Sequence, residues 1–383
     1  MHGVTAEAGR SLRAFRQEVF ESLGQGDAAK LEKLLSKYMD RSKIDEMADL
    51  IAKLDVNNPQ AINDFIRSAV KPKLIDYLVE IFYNSILSGP KTHIINALSN
   101  TVTTLSAAPE RAAAAAVEQI LAPLSRRPVQ RFFAEVPADV VGAVQGLDEG
   151  VRSAFTTLKT GIRPSEATKY EFTPKAFRGK LGRFINVPST ALEAADALGY
   201  SVNYRAAFSA GVQRTARSEG LTGNALVNRI AELTAIPTEA LIKEAADTAQ
   251  YRLFRKEPGQ FLSEIMRFRN KYPALRFVVP FMRTPMNLFT FGLERTPLGL
   301  LNPSLYRNLA SKNPAASDQI ARIFMGSTVA GLLGWYFANG RITGRPPTNA
   351  AERDRFYREG KLPYAVNIGG YWVQYQRLEP YNQ

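Results

Sequence analysis

Two histidines, His2 and His93, and no cysteine limit what this 383-residue chain can do by chemistry. A Ser-His-Asp triad or a histidine metal cluster would have to rest on His93 alone, because His2 stands beside the start of the sequence. Without cysteine, disulfides and thiolate metal ligands are excluded. His93 lies in "LSGPKTHIINALSN" (Leu87 to Asn100), where a Gly-Pro break precedes a neutral helix-like run and Thr92 stands where a cap would. With no partner of its own kind, His93 reads as a helix residue rather than a catalytic base. The carboxylates Glu193, Asp196 and Asp247 fall on helical patterns, where solvated faces and salt bridges account for them. "GQGDAAK" (Gly24 to Lys30) has the wrong spacing for a phosphate loop, and no dinucleotide, zincin or nucleophile-elbow motif occurs. No catalytic residue, cofactor, metal or small-molecule substrate is therefore expected.

Binding chemistry is better represented. The formal net charge is +13, which favours an anionic partner, either nucleic acid or acidic lipid. Between Arg252 and Arg283 stand Arg252, Arg255, Lys256, Arg267, Arg269, Lys271, Arg276 and Arg283, against only Glu257 and Glu264. Phe254, Phe261, Phe268, Tyr272, Phe277 and Phe281 interleave with them. That alternation suits stacking plus phosphate contacts on single-stranded nucleic acid, or a membrane interface. It also suits a solvated basic face over a phenylalanine core. A second candidate is the charge-free run "IFMGSTVAGLLGWYFA", Ile323 to Ala338, flanked by Arg322 and Arg341. Gly326, Ala330 and Gly334 recur every four residues, giving a groove for close helix contact, and Trp335 and Tyr336 sit near one end like an aromatic belt. As a helix its sixteen residues reach about 24 Å, short of the ~30 Å hydrocarbon core. A buried core helix is the alternative.

The elements that must position these residues are helices. Before Gly89, stripes such as Leu12, Phe15, Val19 and Leu23, then Leu31, Leu34 and Leu35, then Ile44, Met47 and Ile51, recur at helical spacing. Residues 89–160 read as neutral small-residue helices: Thr92 to Pro109 carries no charge, and Ala112 to Ala116 follows. Its Thr, Ser and Asn content suits a buried helix better than a lipid-facing one. Residues 161–188, rich in Pro, Gly and basic groups, read as a connection. Residues 189–340 return to helix, with Ser189 or Thr190 as the cap and Glu193 at the capping-box position. Residues 341–383 hold a loop, a short charged helix and a β-hairpin turning at Gly369-Gly370. There Ile368 faces Tyr371, Val366 faces Val373 and Tyr364 faces Tyr375. The expected fold is mainly α, a multi-helix array with a small C-terminal β-hairpin. The first residues contain no apolar run of a secretory signal.

Three segments, "NSILSGPKTHIINALSN" (Asn84 to Asn100), "VPFMRTPMNLFTFGLERTP" (Val279 to Pro297) and "GRITGRPP…LPYAVNIGGYWVQYQRLEP" (Gly340 to Pro380), carry a resemblance. In content and order they resemble internal virion (DNA-ejection) proteins of tailed bacteriophages and the large polyvalent proteins that travel with phage genomes. The resemblance implies a helical, non-enzymatic protein held in the virion interior and passed to the host envelope or cytoplasm with the DNA. Its partners would be itself or sister virion proteins, with DNA or the host membrane as the anionic contact. Such phage chains are commonly much longer, so a segment of a larger protein is also expected. The alternative is a soluble nucleic-acid-binding or anti-restriction accessory protein delivered with the genome.

Overall fold

The computed structural model describes residues 74–160, 176–177, 179–257, 259–272 and 275–375. The amphipathic stripes expected before Leu74, and residues 161–175 of the expected connection, lie outside the described residues. The fold is mainly α, with thirteen α-helices, one short 3-10 helix and a C-terminal hairpin among the described residues. The chain divides into two compact units, each assembled from separate stretches.

The first unit comprises residues 1–89, 152–197 and 257–283. Within it, helix α1 (Leu74–Leu87) buries Val79, Glu80, Tyr83, Asn84 and Leu87. Glu80 accepts hydrogen bonds from the backbone N–H of Ala176 and Phe177 and from the Asn186 amide. Asn84 donates to Asn186 Oδ1 at 3.1 Å and accepts from Ser189 N–H at 3.2 Å. Buried polar groups persist only when paired, and here each serves as another's partner. Helix α4 (Gly179–Ile185) occupies part of what the sequence marks as connection. Helix α5 (Val187–Ser218) starts before Ser189 and Thr190, which stand inside its first turn rather than at its cap. Asn186 precedes that turn, and its carbonyl receives the Thr190 N–H at 2.9 Å. Helices α8 (Gln260–Lys271) and α9 (Leu275–Val278) complete the unit.

The second unit comprises residues 90–151, 198–256 and 284–383. Its longest element is α2 (Pro90–Leu124), 35 residues in one helix. Pro90 takes the first helical position, where a missing N–H costs nothing, so Thr92 lies within the helix and does not cap it. Helix α3 (Glu135–Thr160) begins with a reciprocal cap, Glu135 Oε1 accepting the Phe132 N–H at 2.9 Å. Helices α6 (Gly223–Ala235) and α7 (Glu239–Arg252) pack on α5 around Phe208, Val212, Leu226, Leu233 and Leu241. Helix α10 (Arg283–Leu293), the 3-10 turn (Pro297–Leu301), α11 (Pro303–Ala310) and α12 (Ala315–Ala338) follow. Asn302 caps α11 by accepting the Ser304 N–H at 3.0 Å, with Pro303 next in sequence.

After α13 (Ala350–Arg358), strands β1 (Ala365–Ile368) and β2 (Tyr371–Gln374) form an antiparallel pair. The register pairs Val366 with Val373 and Ile368 with Tyr371, as the alternation predicts. Tyr375 N–H donates to Tyr364 C=O at 2.8 Å, which extends the same register. Gly369 and Gly370 carry φ of 59° and 92°, the two positive angles that a tight two-residue turn demands.

Candidate functional site

The second unit has a mixed interior: beside the apolar cluster of Phe208, Val212, Leu226, Leu233 and Leu241 it buries several polar side chains, and many large apolar side chains elsewhere face outward. Of the nine largest fully buried side chains in the described residues, six are polar: Glu118, Glu135, Asn203, Thr103, Thr157 and Ser317. All of these but Thr157 belong to the second unit. Small residues make the helix contacts of α2 and α3. Helix α2 buries Ser99, Thr103, Ala107, Ala114, Ala115, Glu118 and Ala122 while Ile94, Leu98, Leu105, Ile120 and Leu124 are exposed. Helix α3 meets α5 through Gly142, Gly146 and Gly150, where an added Cβ would lie 2.4 Å from Arg205 O, 2.7 Å from Ser201 O and 2.9 Å from Leu198 O. The neutral run of α2 is thus buried along one hydroxyl-rich stripe only.

Charges in this interior are paired. Asp139 receives Arg111 Nε at 2.7 Å and Arg252 Nη2 at 3.1 Å. Glu135 lies 3.2 Å from Arg111 and 3.4 Å from Arg214, whose other partner is Glu244 at 2.5 Å. Burial pushes the Asp139 carboxyl up, but Arg252 and Arg111 outweigh it and hold the group below its ordinary value. At Glu135 burial wins: both arginines sit closer to other carboxylates, and the group is raised. Burial likewise lowers Arg252, against the opposing pull of Asp139. Glu118 is held below its ordinary value: burial pushes it up, and Arg127, Ser317 and the Gln130 N–H together outweigh that.

Helix α12 has two halves. The first is anchored. Ser317 donates to Glu118 at 2.5 Å, Asp318 takes both arms of Arg131 at 2.9 and 2.7 Å, and Gln319 donates to Ser304 at 2.7 Å. Ala316 and Ile323 pack on Leu305. Gly326 is the last close crossing: a Cβ there would fall 1.9 Å from Arg295 O. Arg295 itself is fixed by Glu110 at 2.7 Å and lies over the Phe291 ring. Beyond Gly326 the helix lies open. Val329, Leu332, Leu333, Trp335 and Phe337 are exposed, Ala330 is exposed, and a Cβ added at Gly331 or Gly334 would meet nothing within 4 Å. Tyr336 is half-buried, with Trp335 edge-on at 5.3 Å and the Arg341 guanidinium 5.8 Å above its ring. Among the described residues this is the one helix long and apolar enough to cross a membrane, and only 11% of its apolar window is buried. The distal half of α12 is thus exposed among the described residues, where a core helix would be covered.

Part of the basic-aromatic stretch is taken up by internal partners. Arg252 is buried against Asp139 and Asn203 rather than offered to a polyanion. Arg269 is 3% exposed and donates to the carbonyls of Val279 and Pro280, at 3.3 and 3.0 Å. Phe254 packs on Phe291, Phe277 on Phe82, and Phe281 on Tyr83. Arg255, Arg276 and Arg283 are half-buried, Lys256 is exposed, and Arg267 and Lys271 lie on α8. Phe268 and Tyr272 are exposed aromatics of this stretch. His93 is a half-buried residue of α2. A hollow lined by Glu294, Gly299, Asn302, Gln319, Arg322 and Ile323 admits about one water molecule. Glycine at every fourth position from 142 to 150 is the sequence signal of the small-residue seam of α3.

Comparison with protein-family models, curated proteins and solved structures finds no match to this chain.

Proposed function

We propose that this protein is a non-enzymatic component carried inside a tailed-phage virion, delivered with the genome, which engages a lipid membrane through the distal half of α12. The observation that carries the membrane contact is the open apolar face from Val329 to Phe337, rooted at Gly326 and ending in Trp335, Tyr336 and Arg341. The small-residue contacts and paired interior charges of α2 and α3 support the same reading, because helices meant for lipid pack through small residues and pair their charges inside. The phage assignment rests on the three sequence segments and their order. The rival nucleic-acid reading loses support where Arg252 and Arg269 are taken up by internal partners.

Vesicle flotation of the purified chain tests the membrane contact. Gly331→Asp with Leu332→Asp places two charges on the open face, where a Cβ added at Gly331 meets nothing within 4 Å. Flotation with anionic vesicles should fall at least tenfold while the far-ultraviolet circular dichroism stays unchanged. Undiminished flotation rejects α12 as the contact. Mass spectrometry of virions from a phage whose genome encodes the chain tests its packaging, and absence from the particles rejects that part.

A further inference from the structure

Helix α3 carries a second open apolar face, on the side away from its glycine seam. Val140, Val144, Leu147, Val151, Ala154 and Leu158 follow alternating steps of four and three residues, the seam spacing of a coiled coil over nearly three heptads. In that register Val144, Val151 and Leu158 take the a positions, and Val140, Leu147 and Ala154 the d positions. Apart from the small Ala154 all are exposed, Val144 to 63%, and Val141 and Phe155 at e positions widen the strip, Phe155 being 69% exposed. The opposite face is occupied by the chain itself: Gly142, Gly146 and Gly150 lie against α5, and Glu149 pairs with Arg205.

We propose that this face is a self-association seam, pairing α3 with α3 of a second copy as a parallel two-stranded coiled coil. Three observations select that occupant. β-branched valine at two of three a positions, with leucine at the central d position, favours two parallel strands. The exposed apolar area of the strip is on the order of 700 Å², close to the ~800 Å² per partner of a stable interface. The rim is polar and of mixed sign, with Gln145, Asp148, Arg152 and Lys159, whereas a face for anionic lipid calls for a basic border.

The proposal is independent of the membrane contact, which resides on another helix. Because the chain has no cysteine, one introduced thiol reports one position. Leu147→Cys should cross-link to a dimer under mild oxidation, and Gln145→Cys, off the seam, should not. In sedimentation the unmodified chain should dimerise at micromolar concentration. Val144→Asp with Leu147→Asp should weaken that dimer at least a hundredfold without loss of helical circular dichroism, while Gly331→Asp with Leu332→Asp should leave it intact. A chain monomeric up to about 100 μM, or a dimer that the α3 aspartates do not weaken, overturns the proposal. A dimer that they dissolve, but that the Leu147→Cys variant does not trap by cross-linking, overturns the parallel pairing. A monomer whose vesicle flotation is lost with the α3 aspartates overturns it as well and assigns the face to lipid.

Discussion

Asp139 and Glu135 stand one helical turn apart on α3, and both are buried, yet they should respond differently to mutation. Asp139 is the salt-bridge partner of Arg252, whose remaining side-chain contact at this site is the Asn203 amide at 3.4 Å. Asp139→Ala strands a buried guanidinium, and the expected loss is about 3–5 kcal/mol. Glu135 shares arginines that have closer partners, Arg111 with Asp139 at 2.7 Å and Arg214 with Glu244 at 2.5 Å. Glu135→Gln keeps a hydrogen-bonding side chain and strands neither cation, so its loss should be well under half as large. Chemical denaturation of the two variants measures the contrast, and equal losses would refute it. Arg269 makes a related case. It closes the loop carbonyls of Val279 and Pro280, so Arg269→Ala should lower stability by about 1–3 kcal/mol. It should leave the salt slope of any DNA binding unchanged, because a residue that touches no phosphate releases no counterion. None of these partnerships could be read from the sequence. Composition shows Arg252 and Arg269 as charge, and the spacing of one helix does not reveal that Asp139, 113 residues earlier, will meet Arg252.

At the scale of elements, the sequence was most legible where local chemistry decides the outcome. Gly369-Gly370 permits one turn, and the alternation of Val366, Ile368, Tyr371 and Val373 then allows one register. Helix starts were less legible. Ser189 and Thr190 are good caps by residue type, but Asn186 stands before the first turn and its side chain is drawn into the Glu80–Asn84 cluster. The charge-free run of α12 was visible, and its exposure was not, because exposure depends on where neighbouring helices end. The crossings themselves give a graded test. Gly146→Ala drives a methyl to 2.7 Å from Ser201 O and should cost about 1–3 kcal/mol. Gly326→Ala, at 1.9 Å from Arg295 O, must displace backbone and should cost more. Gly334→Ala meets nothing within 4 Å and should be neutral or mildly stabilising, since alanine is the better helix former. Thermal melts should place Gly334→Ala highest, Gly146→Ala next and Gly326→Ala lowest, and a Gly334→Ala loss as large as that of Gly326→Ala would show that the distal groove is covered.

Over the whole molecule, a charged interior makes stability depend on pH, and the buried carboxylates pull in opposite directions. Glu118 and Asp139 are held below their ordinary values, so the stability they supply is present at neutral pH. It is lost as the pH falls below the ordinary carboxylate range through their lowered values. Glu135 is raised above its ordinary 4.5, so the folded state holds that proton more tightly than the unfolded chain does. Its contribution therefore declines as the pH climbs from about 4.5 towards the raised value and is level above it. Glu135→Gln deletes this decline and leaves the other two groups in place. The difference in stability between Glu135→Gln and the parent should thus shift in the variant's favour as the pH rises from 4.5 towards neutrality. Both chains should still weaken together below about pH 4, where Glu118 and Asp139 take up protons. Denaturant titrations at several pH values measure this difference directly. A difference that stays constant over that range would mean that Arg111 and Arg214 keep Glu135 charged as easily as water does, and the interior would then be far better solvated than its burial indicates.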